Sequence, residues 1–199
     1  MTEGILTHEF IDPIAMETTR PAVLRPFTVF FTGLPAAGKT TLATAVNDRL
    51  RALGHLPRLL DGDEVRRSIS ADLGFSREDR IENMRRMSRL AGQANEEISL
   101  VAAVSPSNEA RDVARETITE DREFVLVWMA TPRDVCEDRD PKGLYAKARA
   151  GEIENFTGVS QAYEAPEDAD LAIDTTQHTV DECVDLVLDL LRQRALLGS

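Results

Sequence analysis

The stretch TVFFTGLPAAGKT, Thr28 to Thr40, decides the reading of this chain. Thr28 to Thr32 is a short run of β-branched and aromatic residues, which predicts a buried strand. Gly33 to Thr40 then follows the spacing GxxxxGK[ST]. A helix from about Lys39 to Leu53, stopped by Gly54, is predicted to open directly from it. A strand, a glycine-rich turn and a helix in this order cradle phosphate. Gly33 and Gly38 let the backbone curl so that successive N–H groups face inward. The helix N-terminus adds partial positive charge. Gly33, Leu34, Pro35, Ala36, Ala37, Gly38, Lys39, Thr40 and Thr41 are therefore expected to wrap the phosphates of ATP. Lys39 suits the β- and γ-phosphates, and the Thr40 hydroxyl suits Mg²⁺.

Working outward, further strands are predicted at Arg58 to Asp61, Ser99 to Val104, Phe124 to Ala130 and Leu171 to Asp174. Helical patterns separate them. Thr131-Pro132 reads as a helix start, with Thr131 as N-cap and Pro132 in the first turn. Ser76 with Asp79, and Thr179 with Glu182, have capping-box spacing. In the last helix Val180, Cys183, Val184, Val187, Leu188 and Leu191 share one face. Cys183 and Cys136 are both expected to pack rather than react. Alternating strands and helices imply an α/β fold, a P-loop NTPase-type parallel sheet with helices on both faces. Residues 1–26 carry three prolines and no clear period, so they read as an irregular N-terminal arm. Residues 27–199 form the expected P-loop domain, with a lid expected over about 140–158.

The chain has 199 residues, which suits one domain. Its net charge is -12, and of its 23 basic residues only Lys39, Lys142 and Lys147 are lysines. So acidic a chain is a poor general partner for nucleic acid or an anionic membrane surface. Eleven acids and two arginines lie from Glu152 to Ser199, a net of -9, so any anion site is expected earlier. Two cysteines without CxxC spacing and three scattered histidines do not suggest a metal site. No run approaches a membrane span, and the start does not resemble a secretory signal, so the expected location is cytoplasmic.

A phosphate loop indicates a nucleotide but not a reaction. The sequence has no NKxD, HRD or DFG motif, which weighs against a GTPase switch and a protein kinase. The second strand ends in Asp61-Gly62-Asp63. Two carboxylates at a strand's C-terminal end suit a metal-side acid and a base for an acceptor hydroxyl, although an Asp-Gly turn alone is the plainer reading. A helix predicted from Arg77 to Ile98 has an apolar stripe of Ile81, Met84, Met87, Leu90, Ala91, Ala94 and Ile98. Arg85, Arg86 and Arg89 face the other way with Glu78 and Glu82 and are expected to form ion pairs. Arg80 and Asn83 project onto the stripe or its border. An inward charge needs a partner, either a buried carboxylate or an anionic ligand beside the phosphate loop. Arg66, three residues after Asp63, is placed to join it, and its fork suits phosphate or sulfate. Lys142 and Lys147 fall in a charged segment starting at Arg139, where a water-excluding lid is expected.

Several segments in order resemble the adenylylsulfate kinase family: FTGLPAAGKTT, LDGDEVR, DLGFSREDRIENMRR, VSP followed by Arg111 and Arg115, RDPKGLYAKARAGEIENFTGV and YEAPEDADLAIDT. The resemblance covers about Thr28 to Thr175. It implies a Mg-ATP-dependent enzyme that phosphorylates the 3′-hydroxyl of adenosine 5′-phosphosulfate to PAPS, as in sulfate assimilation. It also implies a homodimer. By resemblance, Asp63 is the base and Asp61 lies near the metal with Thr40. Lys39 is catalytic, and Arg139 joins the ATP site. Arg66, Arg80 and Asn83 hold the phosphosulfate end, and Phe75 and Phe156 sandwich its adenine. Ser105 lies near the substrate, and Lys142 sits in the lid. The chain departs from the family at Ser107-Asn108, where Tyr-Arg is usual, at Glu64, where Asn is usual, and at Pro35-Ala36, where Ser-Gly is common. Two alternatives follow: a kinase acting on another anionic nucleotide-linked acceptor, or a non-catalytic nucleotide-binding subunit docking through its acidic C-terminal third.

Overall fold

A computed structural model of the chain describes residues 21–93, 96–119 and 122–198. Its strands are β1 (Phe27–Gly33), β2 (Arg58–Asp61), β3 (Ile98–Ala102), β4 (Glu123–Met129) and β5 (Leu171–Ile173). Its helices are α1 (Lys39–Ala52), α2 (Gly62–Arg67), α3 (Arg77–Gly92), α4 (Asn108–Thr119), α5 (Arg133–Arg139), α6 (Leu144–Arg149) and α7 (Val180–Gln193). The five strands form one parallel sheet in the order β2-β3-β1-β4-β5. Alternate residues of β1 supply opposite faces. Phe27, Val29 and Phe31 pack with Leu42, Val46 and Leu50 of α1 and Val184, Val187 and Leu191 of α7. Phe30 packs with Met87 of α3 and Ala110, Ala114 and Ile118 of α4. A central strand buried on both faces reads as a continuous apolar run. The fold class is the expected one, and the C-terminal ends of β1, β2 and β3 meet at one edge, where ligands of such sheets bind.

Most of the chosen elements fall where the sequence places them, with three corrections. The helix predicted to Ile98 ends at Gly92, and Ile98 starts β3. Isoleucine suits either element, and pairing with Phe27 puts it in the sheet. Ala94 lies outside the described residues. Thr131 is not the cap of α5. Pro132 occupies that position with no side-chain hydrogen bond, and the Thr131 hydroxyl turns inward to the phosphate loop. Val180 is 47% exposed because it is the first residue of α7, outside the packed turns. The Thr179–Glu182 capping box is present, and Cys136 and Cys183 are buried.

The arm assigned to residues 1–26 lies outside the described residues up to position 20. Residues 21–26 run beside the C-terminus. Val23 bridges Leu197 antiparallel, Leu24 N–H donates to Leu196 O (3.0 Å), and Gly198 N–H donates to Ala22 O (2.8 Å).

Candidate active site

The phosphate loop follows β1 as expected. Gly33 lies so close to β4 that a Cβ there would sit 2.8 Å from Met129 O. Gly38 takes a left-handed φ of 95° just before α1, where glycine costs least. Ala36 adopts φ 61° without glycine's freedom, a strained position for an L side chain. Lys39 is buried, and its Nζ donates to Gly33 O (3.1 Å) and Leu34 O (2.7 Å). Burial holds its pKa down to about 8, because desolvation disfavours the charged form.

Asp61 ends β2 and caps α2. Its Oδ1 accepts the Asp63 N–H (2.8 Å), and its Oδ2 accepts the Thr40 hydroxyl (2.8 Å). The Asp-Gly turn therefore also opens a helix. It carries Asp63 into the cleft, where the Lys142 ammonium donates to its carboxylate. The pairing of Thr40 and Asp61 places two hard oxygen atoms side by side, a donor type that fits Mg²⁺. Among the described residues no cluster of three or more His, Cys, Asp or Glu side chains marks another metal site.

These groups line one cleft of about 910 Å³. Its walls include Pro35, Ala36, Gly38, Lys39, Thr40 and Thr41 from the loop, with Asp61 and Asp63. Arg66, Phe75, Arg80, Asn83, Ser105, Lys142 and Phe156 line it too, so every expected acceptor-side residue meets there. Gly33, Leu34 and Ala37 lie behind the loop, with the Leu34 carbonyl turned to Lys39. Arg139 and Lys147 are outside this cleft. Arg139 instead donates to Thr175 Oγ1 (2.7 Å) and Thr175 O (3.4 Å).

Among the described residues the inward arginine has no carboxylate partner. Arg80 donates to Phe75 O (3.2 Å) and, across the cleft, to Asn155 O (2.7 Å). Arg66 donates to Gly74 O (2.7 Å). Among the described residues neither guanidinium has a carboxylate within ion-pair distance. Both approach the Phe75 ring, at 4.5 Å for Arg66 and 5.5 Å for Arg80. Burial and the neighbouring Arg66 charge hold the Arg80 pKa down to about 10. Asn83 is 3% exposed, and its Oδ1 has no hydrogen-bond partner among the described residues. On the outer face Glu82 pairs with Arg85 (2.5 Å) and Arg86 (3.1 Å), as expected, and Arg86 also reaches Asp72 (2.6 Å). Among the described residues Glu78 and Arg89 form no ion pair.

Sequence reasoning missed Tyr145 as a site residue, and it did not foresee the backbone of Ser105 or the contacts of Arg111. Tyr145 of α6 is buried, donates to Pro35 O (3.2 Å) and meets Phe156 edge-on at 5.1 Å. Burial raises its pKa. Its signal was an aromatic residue inside the charged DPKGLY segment. Ser105 holds a left-handed φ of 42° in the turn after β3, with a buried Oγ that lacks a partner among the described residues. Arg111, 3% exposed, pins that turn by donating to Ser105 O (2.8 Å) and Glu164 O (2.6 Å) and pairing with Asn108 Oδ1. The Asn108 N–H donates to Glu164 Oε2 (2.7 Å). Ser107 and Asn108 are not among the cleft residues, so that departure from the family lies behind the acceptor site.

Comparison with known proteins agrees with this geometry. The sequence profile of the family described as Adenylylsulphate kinase matches residues 25–174. The chain is 48% identical over 173 residues to an adenylyl-sulfate kinase of Halothermothrix orenii, covering 86% of this chain and 92% of that protein. It is similar in structure to a Mycobacterium tuberculosis APS kinase solved with AMPPNP and APS. That match has a TM-score of 0.81 and 43% identity, over 84% of this chain and 98% of the other. A hexameric APS kinase from Thiobacillus denitrificans matches with TM-score 0.65 and 35% identity, over 87% of this chain and 30% of that one. On its sequence and its fold together, the chain belongs to the adenylylsulphate kinase family.

Proposed function

We propose that this chain transfers the γ-phosphoryl group of ATP to the 3′-hydroxyl of adenosine 5′-phosphosulfate, giving ADP and PAPS for sulfate assimilation. The observation that carries the acceptor side is the cluster of Arg66, Arg80 and Asn83. Among the described residues two guanidinium groups without carboxylate partners and one unpartnered amide oxygen share a cleft with the phosphate loop. Such a cluster suits a forked anion such as phosphosulfate. Phe75 and Phe156 offer flat surfaces for its adenine. Their use requires Arg66 to leave the Phe75 face it covers here.

Asp63 takes the proton from the attacking 3′-hydroxyl as that oxygen bonds to the γ-phosphorus and the bond to the β-phosphate oxygen breaks. Lys142 must first release the Asp63 carboxylate. Lys39 must exchange the Gly33 and Leu34 carbonyls for phosphate oxygens. The loop N–H groups and Lys39 stabilise charge on the transferring group, so catalysis is mainly positioning and electrostatics. Thr40 and Asp61 would hold Mg²⁺, which supplies charge neutralisation on the β- and γ-phosphate oxygens. The lid, residues 140–158 of a kinase unit spanning 27–199, excludes water.

A coupled ADP-release assay with Mg-ATP and adenylylsulfate tests the reading. Asp63→Asn is expected to lower kcat by about 10²- to 10⁴-fold while changing ATP affinity by no more than about twofold. Normal turnover by that variant removes Asp63 from the base role. Other anionic nucleotide acceptors should give lower kcat/KM, since Ser107 and Asn108 lie outside the cleft that would read the difference. The described residues contain no helix long and apolar enough to cross a membrane. The resemblance favours a cytoplasmic homodimer. Light scattering should then give about twice the 22.0 kDa chain mass; the hexameric relative marks the alternative.

A further inference from the structure

The Thr131 hydroxyl, expected to cap a helix, does something else. It is 4% exposed at the end of β4 and donates to Ala37 O in the phosphate loop (3.1 Å). It also pairs with Thr175 Oγ1 (2.8 Å), which in turn accepts from Arg139 Nη1 (2.7 Å). A hydroxyl has one proton. Thr131 spends its proton on the Ala37 carbonyl, so Thr175 must be the donor in the threonine pair. The chain therefore runs one way, from Arg139 through Thr175 and Thr131 to the Ala37 carbonyl, with a cation at its head. Chains of this kind polarise their members in the same direction.

The consequence falls on the other end of the same peptide group. All peptides of the described residues are trans, so the Gly38 N–H points opposite to the Ala37 carbonyl. Thr131 lies behind the loop, and Gly38 lines the cleft. Among the described residues no backbone carbonyl takes the Gly38 N–H. On the other side, the Ala37 N–H is held by Leu34 O (3.2 Å). We infer that Thr131, supported by Thr175, is a positioning residue that locks the Ala37–Gly38 peptide so that its N–H meets an ATP phosphate. Arg139 ends α5 immediately before the lid, so the same chain ties the lid's base to the phosphate loop.

This inference rests on the ATP-binding reading above, and its test separates the two. Wild-type protein is titrated with ADP and assayed with Mg-ATP and adenylylsulfate, beside Thr131→Val and Thr131→Ser. Thr131→Val keeps the shape and removes the hydroxyl. It should raise KM for ATP and Kd for ADP about tenfold, the effect of losing one well-placed hydrogen bond. KM for adenylylsulfate should move less than about twofold, and Thr131→Ser should restore wild-type values. Equal weakening toward both substrates, or failure of Ser to rescue, leaves only a structural role and overturns the inference. An unchanged Val variant also overturns it. Should Thr131→Val not fold, Thr175→Val removes the preceding donor and should weaken ADP alone; unchanged ADP affinity in that variant overturns it equally. Wild-type protein that neither binds ADP nor turns over would instead sink the functional reading.

Discussion

Lys39 carries the cost of a charge held in wait for a ligand. Its Nζ is satisfied by two carbonyls and no carboxylate bond, and burial keeps its pKa near 8. In the unfolded chain a lysine titrates near 10.5. Between those values the unfolded state binds more protons, so stability rises with pH across that window. Below about pH 8 both states are protonated, and the full penalty of burying the ammonium is present. Lys39→Met should therefore raise Tm at pH 7 by about 2–6 °C while abolishing ATP binding. The gain should fade as pH climbs from 8 toward 10.5. Paired thermal melts of the two proteins across that range check it. A constant or growing gain contradicts the stated cause. The place of Lys39 in the cleft was legible from GxxxxGK[ST], because phosphate binding requires that residue at that spacing. Thr131 was not, since a threonine before proline has the same local signature whether it caps a helix or reaches 94 residues away to Ala37.

At the scale of elements, α7 shows local signals that agree with packing. Thr179 and Glu182 exchange hydrogen bonds, with Thr179 N–H to Glu182 Oε2 at 2.8 Å. The buried face, Cys183 to Leu191, sits at helical spacing. Thr179→Ala should cost about 1 kcal/mol and lower Tm by about 2–4 °C, as calorimetry would show. The α3 boundary was less legible. Its apolar stripe runs on to Ile98 in sequence, but that residue pairs with β1, and competition between helix and sheet is settled by neighbours. The segment 140–158 gave a composition signal without a geometry. Its place against the cleft depends on Tyr145 against the loop, Lys142 on Asp63 and Asn155 O bonded to Arg80, contacts that join segments far apart in the chain.

Across the whole molecule, the two ends of the described chain meet. Leu196 and Leu197 are 1% and 2% exposed and belong to the same core cluster as β1 and α7. Residues 22–24 hydrogen-bond beside them. Leu197→Ala should therefore destabilise by about 2–4 kcal/mol, seen as a lower urea midpoint with an unchanged slope. A loss below about 0.5 kcal/mol would mean that this end does not belong to the cooperative core. The net charge of -12 also changes meaning at this scale. Part of the C-terminal acidity is matched across the fold, where Arg49 reaches Asp185 (3.0 Å) and Asp181 (3.5 Å) and Arg194 reaches Asp170 (3.0 Å). The cleft beside the phosphate loop instead carries Lys39, Arg66, Arg80 and Lys142 on its walls. By itself the sequence determined the alternating α/β order, the phosphate loop, the acid pair and the family, because each depends on spacing within one short segment. Only the tertiary structure decided that Arg66 and Arg80 pair with no carboxylate among the described residues, that Ser107 and Asn108 are not among the cleft residues, and that Thr131 reaches the Ala37 carbonyl. Those facts depend on which distant groups the sheet brings within hydrogen-bonding reach, and local spacing does not encode that.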